Sequence, residues 1–194
     1  MDSTKKEIIG NIIWFLFLIV LLVGFRTYVA SPFMVSGRSM NDTLVDREKL
    51  FAWKLADIDR FDIVVFPAPD KPDKLYVKRV IGIPGDTIEY KDDKLILNGK
   101  VMDEPYLKPM QEKTVGNFTY DFMLEDVAGQ AVVPEGTYFV MGDNRRNSLD
   151  GRAFGFIDAD SVIGEADIVY WPISEWKLLQ KYELNDTKTA IIEE

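Results

Sequence analysis

A chain of 194 residues can hold one compact domain plus an anchoring segment, and is too short for two enzymatic domains of ordinary size. Its 23 basic and 32 acidic residues give a net charge of −9, which supplies no field for nucleic acid. Cysteine and histidine are both absent. Thiolate nucleophiles, disulfides, Ser-His-Asp triads and HExxH zinc sites are therefore excluded, and a hydrolytic base would have to be Lys, Asp or Glu.

From Ile8 to Phe25 the chain is apolar, with Asn11 its only clearly polar member. That length suits one membrane crossing. It exceeds the apolar core of a cleavable secretory signal, and Tyr28-Val29-Ala30-Ser31 matches a small-x-small cleavage tail only weakly, so the segment reads as a retained anchor. Lys5 and Lys6 before the span and Arg26 after it give a slight charge bias toward an inside N-terminus. The rest of the chain would then lie outside.

Beyond the span, short β-branched and aromatic runs are broken by Gly, Pro, Asn and Asp, the pattern of a mainly β domain. Strands are predicted at Lys49–Trp53, Ile63–Phe66, Leu75–Gly82, Thr87–Tyr90, Lys94–Leu97, Tyr138–Met141 and Val162–Tyr170. Asn98-Gly99 predicts a two-residue hairpin, because both central positions of such a turn need positive φ. Residues 110–130 are less patterned and read as an insertion over the core. The polar tail from Asn185 is expected to fray. The Asn-x-Thr triplets at Asn41, Asn117 and Asn185 read as chance matches.

Three segments are chemically suggestive together. Ser36-Gly37-Arg38-Ser39-Met40-Asn41-Asp42-Thr43-Leu44 places a serine in a small-residue loop just beyond the span. By itself this is an ordinary solvated turn. Leu75-Tyr76-Val77-Lys78-Arg79-Val80-Ile81-Gly82 sets a lysine in an apolar run, which reads either as an edge-strand charge or as an amine kept dry so that it can be neutral. Bringing a lysine from its ordinary 10.4 to about 7 takes on the order of 4.6 kcal/mol. The neighbouring Arg79 would need an acidic partner. Met141-Gly142-Asp143-Asn144-Arg145-Arg146-Asn147-Ser148-Leu149-Asp150-Gly151-Arg152-Ala153-Phe154-Gly155-Phe156 reads alone as a charged surface turn.

In this order, and with Arg60-Phe61-Asp62-Ile63-Val64-Val65-Phe66 between the first two, these segments resemble the signature boxes of type I signal peptidases, the bacterial leader peptidases, in their Gram-positive form. The resemblance runs from the anchor to about Pro172. It implies a coiled antiparallel β-sheet catalytic domain on one N-terminal transmembrane helix, with no metal or organic cofactor. Ser39 would be the nucleophile and Lys78 the general base, with Ser148 orienting the amine. The amide of Ser39 would donate to the oxyanion. Asp143, Asp150, Arg79 and Arg152 would form a supporting ion-pair network. Val35, Met40, Leu44, Tyr76 and Val77 would line shallow pockets for the small side chains of a small-x-small cleavage site, on a peptide added to the sheet as a strand.

Under this resemblance residues 1–30 are a cytoplasmic N-terminus and anchor, 31–184 an extracytoplasmic peptidase domain and 185–194 a polar tail. The partners are signal peptides of exported preproteins and the bilayer of a bacterial plasma membrane, close to the secretion translocon. Asp42 stands where the family commonly has Pro, so the turn after Ser39 is expected to be looser. Gly37 stands where some relatives carry a second oxyanion donor. A non-cutting homologue that only binds exported chains is the alternative, weakened by the presence of both Ser39 and Lys78. A soluble self-cleaving repressor-type peptidase would need DNA-binding helices where the apolar segment lies. An aspartic peptidase is opposed by Leu44 after Asp42-Thr43.

Overall fold

The computed structural model describes residues 3–194. One long helix, α1, covers Ser3–Tyr28. It spans about 39 Å at 1.5 Å per residue, and Lys5–Tyr28 has the length and composition to cross a membrane, with a mean hydropathy of 2.7. Its apolar side chains are exposed on every side, whereas a helix packed on a globular core would show one apolar stripe.

Fourteen strands follow among the described residues: β1 Ala30–Met34, β2 Lys49–Trp53, β3 Ile63–Ala68, β4 Lys71–Gly82, β5 Ile88–Lys91, β6 Lys94–Leu97, β7 Lys100–Met102, β8 Phe122–Met123, β9 Thr137–Met141, β10 Ile157–Asp158, β11 Gly164–Trp171, β12 Lys177–Leu178, β13 Tyr182–Leu184 and β14 Ile191–Glu193. The large sheet runs β1-β2-β11-β3-β4-β9-β10, with β12 added to β11. A four-stranded sheet runs β7-β6-β5-β8, and β13 pairs with β14. Every pairing is antiparallel. The mainly β fold with one N-terminal helix is the one the sequence implied.

Two of the predicted strands, Lys49–Trp53 and Lys94–Leu97, have the observed bounds, and the other five differ at their ends. Asn98 and Gly99 both take positive φ, 53° and 75°, and turn β6 into β7. Asp92 and Asp93 do the same between β5 and β6, at 50° and 63°.

The core has three parts, the smallest around Val64, Phe66, Val80, Val140 and Ile157. Of the two larger, one, around Val35, Met40, Leu44, Leu50, Ile63, Val65 and Val169, lies under the large sheet. The other, around Phe61, Ile81, Tyr90, Leu95, Leu107, Phe118 and Phe139, joins the large sheet to the small one. Segment 110–130 belongs to the second core, since Phe118 and Leu124 are buried in it. The C-terminal residues are not frayed. The β13–β14 hairpin buries Ile191 in the second core, and the Asn185 side chain accepts from the Thr189 and Ala190 amides to close its turn. Apolar Ile191 and Ile192 outweigh the polar residues before them.

Candidate active site

Ser39 lies in the loop between β1 and β2. The two ends of the loop are fastened to each other, with Val35 N–H donating to Glu48 O at 2.8 Å and Arg47 N–H to Val35 O at 2.9 Å. Met40 and Leu44 bury their side chains in the core beneath, so Ser39 is held up between apolar anchors. Asn41 N–H donates to Arg38 O and Leu44 N–H to Met40 O. The turn expected to be loose without proline is therefore tied down, and Asp42 turns outward to pair with Lys113 at 2.7 Å.

Lys78 comes from β4, which has β3 on one side and β9 on the other. It is an interior strand, which removes the edge-charge reading. The lysine is 2% exposed. Its Nζ donates to Ser39 Oγ at 2.7 Å and to Val77 O at 2.9 Å, and sits 5.0 Å from the centre of the Tyr76 ring. Burial lowers its pKa to about 8, while the charges of Asp150 and Asp143 act in the opposite direction and limit the fall.

The segment between β9 and β10 braces both groups. Asn144 N–H donates to Ser39 O and its side-chain amide to Arg38 O, each at 3.0 Å. Asp143 accepts a fork from Arg79 Nε and Nη2 at 2.9 and 2.7 Å, and also the Thr43 hydroxyl at 2.6 Å. Asp150 caps the short helix Gly151–Phe154, accepts the Gly142 N–H at 3.0 Å and is forked by Arg152 Nε and Nη2 at 2.8 Å each. Burial pushes the Asp150 carboxyl up, but Arg152 and the Gly142 amide hold it below the usual carboxylate range. A Cβ on Gly142 would collide with both Ser148 Oγ and Ser39 O. The two serine segments close over a glycine because nothing larger fits.

The family model described as signal peptidase, peptidase S26, matches residues 8–171. This chain belongs to that family. A signal peptidase I of Bacillus caldolyticus is 46% identical over 168 residues, 84% of this chain and 91% of its own length. Signal peptidase IB of Staphylococcus aureus strain COL is 40% identical over 182 residues, 89% of this chain and 94% of its own. The crystal structure of a signal peptidase I from Enterococcus faecalis V583 aligns with a TM-score of 0.55 at 44% identity, covering 57% of this chain and 97% of that one.

In this signal peptidase the structure brings Ser39, Lys78, Arg79, Asp143, Asp150 and Arg152 into one connected network. Val35, Met40, Tyr76 and Val77 line the cleft in which Ser39 and Lys78 lie. Leu44 is not among the cleft walls, since its side chain is fully buried in the core as an anchor of the loop. Ser148 makes no hydrogen bond to Lys78. Its Oγ is buried without a hydrogen-bond partner, although it lies close enough to Asp150 to favour that charge. The geometry thus gives the orienting contact to Val77 O instead.

Sequence reasoning missed Leu75, Asn147 and Leu149, which complete the cleft wall. It also missed Arg145, whose buried guanidinium bonds Glu104, the Tyr90 hydroxyl and Gly142 O. Gly37 N–H is already given to Asp46 Oδ1 at 2.7 Å, so it is not free for an oxyanion.

Proposed function

We propose that this signal peptidase-family enzyme removes N-terminal signal peptides from exported preproteins after a small-x-small site, using Ser39 as nucleophile and Lys78 as general base. The observation that carries this is the 2.7 Å contact between Ser39 Oγ and a Lys78 amine that is buried and titrates near 8. Near neutral pH an appreciable fraction of that amine is unprotonated. It takes the Ser39 proton as Oγ attacks the scissile carbonyl, and the resulting ammonium returns the proton to the leaving amine. A water, deprotonated in turn by Lys78, then releases the acyl group. The Ser39 amide is the oxyanion donor in this reading.

Other features support the substrate and the setting. β1 ends the large sheet and so offers an open edge beside the cleft for an extended peptide. Apolar Val35, Met40, Leu75, Tyr76, Val77 and Leu149 leave room for small rather than charged side chains. Helix α1 is the single anchor, placing the domain on the outer face of a bacterial plasma membrane near the translocon. The test is the full chain in detergent with a preprotein carrying an Ala-x-Ala site. Ser39→Ala and Lys78→Arg should each lose about 10³-fold or more in rate with the circular dichroism spectrum unchanged. Turnover by either variant near the wild-type rate overturns the assignment.

A further inference from the structure

Residues beyond 171 lie past the family match, yet they reach the site. The β13–β14 hairpin is fixed at three points: Ile191 is buried in the core, Lys181 Nζ lies 2.7 Å from Glu165, and Lys100 Nζ donates to Thr187 O at 3.0 Å. So fixed, it lays the Tyr182 ring against Arg79. The guanidinium carbon is 5.6 Å from the Tyr182 ring centre and 4.1 Å from that of Tyr106, and the two rings meet edge to face at 5.2 Å.

We propose that Tyr182 is a positioning residue for catalysis, acting through Arg79 on Asp143. The proposal rests on the Ser39–Lys78 reading above. Arg79 is buried, and its donors go to Asp143 and to Phe61 O. An aromatic face attracts a guanidinium and keeps water from it, so the two rings hold the fork on Asp143 closed. Asp143 in turn holds Thr43 of the nucleophile loop, and its neighbour Asn144 holds Ser39 O. Two carboxylates act on Lys78: Asp150, already neutralised by Arg152, and Asp143, neutralised by Arg79. If Tyr182 is lost, water reaches Arg79 from the groove that Tyr182, Asp62 and Glu165 line. The fork loosens, and the freed charge of Asp143 favours the ammonium form of Lys78.

The test compares wild type, Tyr182→Phe and Tyr182→Leu as full chains in detergent, with rates on the Ala-x-Ala preprotein from pH 6 to pH 10 and Lys78→Ala as control. Burial and the charges of Arg79, Glu193 and Asp143 act on the Tyr182 hydroxyl, none of them as a hydrogen bond. Phe should therefore match wild type. Leu keeps apolar bulk without the π face. It should lower kcat about 3- to 5-fold at neutral pH with KM unchanged, and move the rising limb up by roughly half a pH unit so that the deficit closes in alkali.

A Leu profile that superposes on wild type, a uniform loss at every pH, or a Phe variant as impaired as Leu would each overturn the proposal. A thermal melt that stays within a few degrees of wild type separates the limb shift from unfolding. If Lys78→Ala cuts normally, the base assignment fails and this inference with it. An inactive control with an unmoved Leu limb sinks this inference alone.

Discussion

Lys78 meets two opposed demands. The proposed mechanism needs its amine dry, and dryness makes the ammonium a liability to the fold. The rate should rise with pH along one ionisation near 8, because only the neutral amine accepts the Ser39 proton. A profile flat from pH 5 to pH 10 would remove the lysine from the mechanism. Stability follows the same group. An unfolded lysine keeps its proton to about 10.4, but the folded one only to about 8. Between those values the unfolded chain binds more protons, so stability should climb with pH across that window. Below pH 8 the buried charge costs on the order of 3 kcal/mol. Lys78→Met should therefore be inactive yet more stable by about 1–3 kcal/mol at pH 7. The gain should shrink by pH 10, as urea unfolding at the two pH values would show.

At the level of elements, the segment from Gly142 to Arg152 is the clamp that holds the serine loop to the lysine strand. Asp143→Asn leaves Arg79 buried without its ion pair, and should cost about 3–5 kcal/mol in chemical denaturation. A loss under 1 kcal/mol would mean that the fork contributes little. Gly142→Ala should cost about 1–3 kcal/mol and most of the activity, because the new methyl group must push Ser39 away from Ser148. Wild-type kcat in that variant would show the contact to be slack.

This clamp was legible only through the resemblance to the family's boxes, since alone the segment reads as a charged surface turn. The Arg145–Glu104 pair was not, because Glu104 lies outside every one of those boxes. Leu44 shows the converse limit. Apolar character marks a residue as inside, but not whether it faces a cleft or a core.

For the whole molecule, the longer strands and the Asn98-Gly99 turn were readable, and several short strands were not. β1 escaped because Ala30-Ser31-Pro32 lacks the β-branched alternation of a strand, and β14 because polar residues 185–189 mask Ile191 and Ile192. Removing residues 1–29 should leave cleavage of short peptides within a few-fold of normal, while preproteins embedded in vesicles lose at least about 10-fold, since in the proposed setting helix α1 supplies local concentration. Equal losses on both substrates would show the helix to be part of the fold instead.

The joint between helix and sheet has a consequence of its own. Only Val29 separates α1 from β1; Lys54 N–H donates to its carbonyl, Lys54 Nζ to Thr27 O and Ser31 Oγ to Arg26 O, while Phe25 packs edge-on against Trp53. Three hydrogen bonds and one ring contact thus tie α1 to the sheet. In the proposed setting, with α1 seated in lipid, these ties would hold the cleft at one height above the bilayer, and the enzyme would work as a ruler. A preprotein threaded through the same bilayer would then be cut according to how many residues separate the end of its apolar stretch from the scissile bond.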